Sequence, residues 1–498
     1  MKKLRRHLCG KRIFTIVLCL LVLASPALLV AAQTRAAKKP LNQVNPAFVI
    51  TPKEAKEWHT VKDKLGPALS GNPSWRNYME FVEKKLRDYG AADVTRDTFS
   101  YNRWHTSDWP DKSKWSLVSN GQKINVASYG CYSGSTPEEG LTADLVYFDS
   151  ANLAKDIVGK IVVMQPRFTR EMQEAVYGSD FEHPAVEDSW PLPGKPIPTG
   201  LDLKAASSRI WSQLPQTGGL IRAAVQGKAA GIVFVFDAGY DVMAGMYTFG
   251  VPQLYNAPTL YLDREAGAQV IADAKRGAKA TLRLRAEITP TETWQLISYL
   301  PGKNYGTPQD EMIVLTTHSD GPSISQDNGP FGLLAVAKYF SNIPKSERPR
   351  TLMFYMDNRH FMPGAERAFA QQDWLAKNPG YKDKVAAVIG MEHLGQIEFV
   401  EESGKLKPSG RADLHNLYAT NNDKMIALAA KAVADNKLKG AVIRSPGRFG
   451  KSGRSQGPWY GLGNLTNRIN KPGFATMGSM GAYWATSSPL ERFDAEHF

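Results

Sequence analysis

Met312-Ile313-Val314-Leu315-Thr316-Thr317-His318-Ser319-Asp320, followed five residues later by Gln326-Asp327-Asn328-Gly329, decides how the chain is read. An apolar, β-branched run ends abruptly in a histidine and a carboxylate, and an apolar helical stretch, Gly329 to Phe340, opens directly behind it. That is the pattern of a buried strand feeding a helix. Working outward, Trp294 to Leu300 precedes it, and Thr351 to Met356 and Val385 to Met391 follow as further strands. The stretch Gly364 to Leu375 reads as a helix between the last two. Strands alternating with helices predict an α/β domain with a largely parallel sheet.

In open sheets of this kind ligands gather beyond the carboxyl ends of the strands. Three successive strands run into metal-capable side chains there: His318-Ser319-Asp320, Asp357-Asn358-Arg359-His360 and Glu392-His393. Imidazole nitrogen with carboxylate oxygen suits Zn²⁺, which polarises bound water. Asp320, two residues past His318, is placed to accept the second ring N–H and hold the tautomer. Any one of these side chains alone reads as a satisfied loop residue, and Asp327 alone reads as a helix N-cap. Their convergence at several strand ends favours a metal site.

Thr317-His318-Ser319-Asp320 with Gln326-Asp327-Asn328-Gly329 resembles the signature of the di-zinc exopeptidase family, which includes secreted bacterial aminopeptidases, glutamate carboxypeptidase II and the transferrin receptor. Gly231 to Phe236 with its flanks is similar to the protease-associated domain inserted in several of those proteins. The resemblance implies an α/β fold, with a mixed, largely parallel sheet flanked by helices and an inserted β-rich protease-associated domain. It implies that His318 ligates one zinc, Asp327 bridges two, Glu392 supplies the carboxylate of the fourth strand and Asp320 orients His318. It also implies a cis peptide after Asp327.

The departures from the family pattern fall on one metal. The family carries two consecutive glutamates after the third strand, the first a general base and the second a ligand of the other zinc. Counting back from Gly364 those positions are Asn358 and Arg359, and counting forward from Asp357 they are Arg359 and His360. Asn and Arg cannot act as a base at neutral pH, and an arginine repels a cation. The family's last ligand is a His directly before a Thr, and here Ala485 precedes Thr486. Substitutes are at hand: His360 for the lost ligand, Asp357 for the base, and His393 beside Glu392. The metal set is therefore His318, Asp327, Glu392 and His360, the catalytic set is Asp320, Asp357 and His360, and at most one zinc is expected.

The rest of the chain frames that centre. Lys2, Lys3, Arg5, Arg6, Lys11 and Arg12, the apolar run Ile13 to Leu23 and Val30-Ala31-Ala32 read as a secretory signal cleaved after Ala32. Ser25 and Pro26 break the apolar run well short of the ~20 residues of a membrane span. Six positive charges and no acid of the formal +13 lie in that segment, which leaves +7, too diffuse to mark a nucleic-acid surface. Cys131 is the one cysteine after it, so no disulfide is expected within the exported chain. Residues 33 to 48 read as a linker, Thr51 to Tyr89 as two helices, and Leu117 to Glu287 as strand-rich, with a proline-studded loop from Gln165 to Thr217. The expected divisions are 33–116 (linker and helices), 117–287 (the inserted domain) and 288–498 (the peptidase-like domain). The basic, glycine-rich run Arg444 to Gly463 reads as a loop that holds an anionic substrate or as a mobile loop beside the site, and the family's chains continue into a closing helix past Phe493-Asp494 where this sequence stops at Phe498.

Two functions fit this reading. One is an exported, secreted or periplasmic hydrolase of peptides or N-acyl amino acids with a reduced zinc site, without nucleic-acid partners or stable membrane insertion. The other is a non-catalytic binding protein that retains the exopeptidase fold.

Overall fold

Two capped helices set the first layer. Pro52–Leu65 (α1) starts at Thr51, whose Oγ1 accepts from Glu54 N at 3.2 Å, and Pro73–Asp88 (α2) starts at Asn72, whose Oδ1 accepts from Trp75 N at 2.7 Å. Each has proline in its first turn, where the missing N–H costs nothing. On α2 the residues Trp75, Tyr78, Met79, Val82 and Leu86 recur every three or four positions, and all are buried against Trp294, Leu296 and Phe331. An apolar stripe of this kind is what holds a helix of this length in water.

The computed structural model describes residues 43–148, 156–166, 181–182, 206–247, 251, 253–324, 327–364, 374–412, 415–420, 423–438, 441–444, 471–478, 493–495 and 498. The expected signal segment, the glycine-rich run, Ala485 and most of the expected helix Gly364 to Leu375 lie outside the described residues. Met1–Val49 forms one unit, described from residue 43 and holding a single 3₁₀ turn, Pro46–Phe48, capped by Asn45. Ile50–Phe498 forms the other.

Two large sheets carry the second unit. The nine-stranded sheet contains β1 (Ala92–His105), β7 (Phe181–Glu182), β11 (Glu287–Leu300), β12 (Met312–His318), β13 (Thr351–Asp357), β14 (Val385–Glu392), β17 (His415–Ala419), β18 (Ala441–Arg444) and β19 (Gly473–Gly478). Their order is β1-β11-β13-β12-β14-β19-β17-β18-β7. The four central strands β13, β12, β14 and β19 are mutually parallel; on one side β11 pairs antiparallel with β13 and β1 antiparallel with β11, and on the other β17 pairs antiparallel with β19. Helix α6 (Gly329–Ser341), which follows α3 to α5 named below, packs with α2 on one face, burying Phe331, Leu333, Leu334 and Ala337. The opposite face buries Ile297, Val314, Met353, Tyr355 and Val388.

The eight-stranded sheet contains β2 (Trp115–Ser119), β3 (Gln122–Ile124), β4 (Ser128–Tyr129), β5 (Leu141–Tyr147), β6 (Ile161–Met164), β8 (Gly231–Val235), β9 (Thr259–Leu262) and β10 (Lys279–Leu284). Ala206–Gln226 (α3) and the short Tyr240–Met243 (α4) lie in its layer, with α5 (Arg264–Lys275) on the far side. The segment expected to be one long loop behaves differently: Phe181–Glu182 pairs with β18 of the other sheet, and α3 begins at Ala206 and runs through Pro215. An interior proline removes a helical hydrogen bond. Burial of Ile210, Leu214, Ile221 and Ala224 among Phe234, Phe236 and Met243 outweighs it. Cys131 is buried in the other core of this layer.

A two-stranded hairpin, β15 (Ile397–Glu402) with β16 (Lys405–Ala412), leaves the end of β14 and reaches back to the second sheet. There Arg264 bonds both Asp237, at 2.5 Å, and Glu401, at 2.9 Å. No helix among the described residues is long and apolar enough to cross a membrane.

Candidate metal centre

The three strand ends singled out in the sequence meet. His318 closes β12 directly opposite Asp357 of β13, and Glu392 closes β14 on the other side. The start of α6 is pressed onto them through glycine. A Cβ on Gly329 would sit 1.9 Å from Thr317 Oγ1 and 2.4 Å from Met391 O, so only glycine lets the Asp327-Asn328 turn come this close. Gly321 has the same role, since a Cβ there would lie 1.6 Å from Asp327 Oδ1.

His318 is 1 % exposed, and its Nδ1 donates to the backbone carbonyl of Asp320 at 2.8 Å, which fixes the ring and turns Nε2 towards Glu392 Oε1. His360 stacks on His318 with centroids 4.3 Å apart. One donor atom from each of His318, His360 and Glu392 lies within 4.8 Å of the others. Burial alone would lower the His318 pKa, but the carboxylates of Glu392, Asp327 and Asp320 raise it to about 9, and burial of Glu392 is outweighed by His318, which holds that carboxyl below its usual range. Without a metal, these two side chains form an imidazolium–carboxylate pair.

Asp320 works differently from expectation. Its carbonyl, not its carboxylate, holds His318; Oδ1 lies 4.0 Å from the ring nitrogen. The carboxylate accepts from His360 N at 3.1 Å and Phe361 N at 2.8 Å, which fastens the loop after β13 and places His360. Burial raises the Asp320 pKa to about 6.

Asp327 is fully buried. Its Oδ2 accepts from Lys62 Nζ and from Ser323 N, each at 3.1 Å, while Oδ1 has no hydrogen-bond partner among the described residues. It is not the helix cap, because Asn328 holds that position. The peptide after Asp327 is not cis; the cis bond among the described residues joins Trp109 and Pro110. Asn328 instead ties α6 to the end of β14, donating to Leu394 O at 2.6 Å and accepting from Leu394 N at 2.9 Å.

The positions of the two missing glutamates are also filled by paired groups. Arg359 forks onto Asp357, with Nε at 2.7 Å from Oδ1 and Nη2 at 2.5 Å from Oδ2. The guanidinium that was expected to repel a metal is thereby neutralised, and Asp357 is held as its counter-ion rather than poised as a base. Asn358 donates to Thr293 Oγ1 at 2.5 Å and Ser70 Oγ at 3.2 Å, towards β11. His393 has φ of 54° and its Nε2 lies 3.8 Å from Glu392 Oε1.

Lys62 was not among the residues picked from the sequence. The signal that marks it is spacing: Ala55, Trp58, His59 and Lys62 form the buried stripe of α1, so a lysine falls where a core residue belongs. His59, on the same stripe, accepts from Asn328 Nδ2 at 3.1 Å and stacks on Phe493. His415 was likewise overlooked, and it bonds Thr476 Oγ1 between β17 and β19.

Two imidazoles with one carboxylate fit a Zn²⁺ site better than the all-oxygen sets of Mg²⁺ or Ca²⁺. No protein-family model and no curated protein matches the sequence. Among solved structures the chain is similar to a zinc aminopeptidase from Bacillus subtilis, with a TM-score of 0.59 at 12% identity over 90% of this chain and 91% of that one. An aminopeptidase from Aneurinibacillus sp. strain AM-1 gives 0.52 at 14% identity over 90% and 91%. A Peptidase M28 precursor from Shewanella amazonensis gives 0.55 at 15% identity over 89% and 91%. The chain therefore has the fold of the zinc aminopeptidases, as the resemblance of Thr317 to Gly329 implied.

Proposed function

We propose that this protein is an exported hydrolase of peptides or N-acyl amino acids that works with a single zinc ion. The observation that carries the reading is the convergence of His318, His360 and Glu392 from three neighbouring strand ends to within 4.8 Å. His318, His360 and Glu392 would hold the ion, with Asp327 Oδ1 as the remaining protein oxygen. With the three donors His318, His360 and Glu392 a zinc ion would keep a position for water or substrate, Asp327 being a weaker fourth oxygen, and the ion would supply Lewis acidity. The chain's own contribution is positional: the Asp320 carbonyl fixes the His318 tautomer, and the Asp320 carboxylate sets the loop that carries His360.

Asn358 and Arg359 in place of the two glutamates favour a second reading, a binding protein that keeps the fold. Loss of a positioned base typically costs 10²–10⁴-fold in rate. Hydrolysis by the single-zinc centre is therefore slow and abolished by chelation. A panel of aminoacyl and acyl-amino-acid substrates, with and without chelator, tests this. Turnover that a chelator removes and His318→Ala abolishes supports the hydrolase, and no turnover on any substrate with zinc bound supports the binder.

A further inference from the structure

Lys62 is a buried ammonium that the exopeptidase reading does not use. It is 2 % exposed, on the inward stripe of α1, and its Nζ donates to Ser323 O at 2.6 Å and to Asp327 Oδ2 at 3.1 Å. Its Nζ also lies 5.3 Å from the centre of the Tyr78 ring, and the Tyr78 hydroxyl donates to Asp327 O at 2.9 Å. Helices α1 and α2 thus grip both the backbone and the side chain of Asp327.

The grip is one-sided. Oδ2 takes two donors, Lys62 Nζ and Ser323 N, while buried Oδ1 takes none among the described residues. A carboxylate bridging two metals offers one oxygen to each. Here one of the two oxygens already faces a cation sealed in the core, since Lys62 is 2 % exposed. We propose that Lys62 is a built-in counter-ion of Asp327 that takes the place of a second metal ion, leaving Asp327 to ligate one ion through Oδ1. The proposal rests on the single-zinc reading above. It adds a positioning residue that sets both the stoichiometry and the strength of binding.

A fixed positive charge on the far oxygen weakens the attraction of Asp327 for a divalent ion. Zinc affinity, read by competition with a chromophoric chelator, and unfolding of the metal-free protein in urea test the proposal on Lys62→Met, Lys62→Arg, Asp327→Asn and the Lys62→Met/Asp327→Asn pair. Expected are a less stable metal-free Lys62→Met protein that binds zinc about tenfold or more tightly than wild type, and a Lys62→Arg protein close to wild type in both. The double variant should regain most of the metal-free stability, since the uncompensated buried charge is gone. Unchanged or weaker zinc binding by folded Lys62→Met overturns the proposal. If Lys62→Met does not fold, the double variant decides: recovery of folding supports the counter-ion, and failure to recover overturns it. If no variant binds zinc, the single-zinc reading fails, and the additivity of the two substitutions in urea then tests the counter-ion by itself, with strict additivity overturning it.

Discussion

Lowering the pH from 7 to 5 should cost the fold about 2 kcal/mol through His59 alone. The ring is buried, with Nδ1 donating to Ala55 O at 2.7 Å and Nε2 accepting from Asn328. Burial is the largest influence on its pKa, and Lys62 adds to it, against the Ala55 hydrogen bond, bringing it from 6.5 to about 3. In the unfolded chain the ring titrates near 6.5. Between those values the unfolded state binds the extra proton, so stability rises with pH there and is lost as pH falls from 6.5 towards 3. The full loss is about 5 kcal/mol, at about 1.36 kcal/mol for each pH unit between the two values, and about 2 kcal/mol of it has accrued by pH 5. Protonation also removes the acceptor of Asn328, the side chain that ties α6 to the end of β14. Other groups titrate in the same range, so the quantity to measure is the difference between wild type and His59→Gln in urea unfolding at pH 7, 6 and 5. A glutamine side chain is neutral throughout and can both donate and accept. The wild-type disadvantage should grow by about 2 kcal/mol from pH 7 to pH 5. A difference that stays constant across that range would refute the assignment of a neutral, buried His59.

Two further outcomes follow from the packing of the centre. Gly321→Ala drives a methyl to within 1.6 Å of Asp327 Oδ1, so it should cost about 1–3 kcal/mol in urea unfolding and abolish high-affinity zinc binding. Asp320→Ala strips the acceptors from His360 N and Phe361 N and releases the loop that carries His360. It should lower zinc affinity about 10–100-fold in chelator competition, and destabilise the metal-free protein by about 2–4 kcal/mol.

The strands that carry the centre were legible because each is a short, β-branched run ending in abrupt polarity. Met312 to Thr317, Thr351 to Met356 and Val385 to Met391 were read to within a residue of β12, β13 and β14. The meeting of His318 and Glu392 was legible for the same reason, since parallel neighbours bring their carboxyl ends to one edge. What was not legible depends on partners far away in sequence. The 14-residue strand β1, Ala92–His105, carries charged and polar side chains on both faces, so its alternation is faint, and it is held by pairing with β11 almost two hundred residues on. Helix α3 contains Pro215 and paired glycines, which read as loop, and is kept by the core it covers. Charges were the hardest part. Arg359 reads in sequence as a free cation facing a metal, yet it is forked onto Asp357, two residues away, a geometry that a strand-end turn permits but does not announce. Lys62 reads as one of several lysines on a polar helix until the buried stripe of α1 is known.

The most direct test is the zinc content of the purified protein after reconstitution with excess Zn²⁺ and removal of loosely held ion, measured by plasma mass spectrometry on wild type and His318→Ala. A single-zinc centre at His318, His360 and Glu392 gives about one zinc per chain in wild type and none in His318→Ala. Two zinc ions per wild-type chain, or a full equivalent retained by His318→Ala, would contradict it.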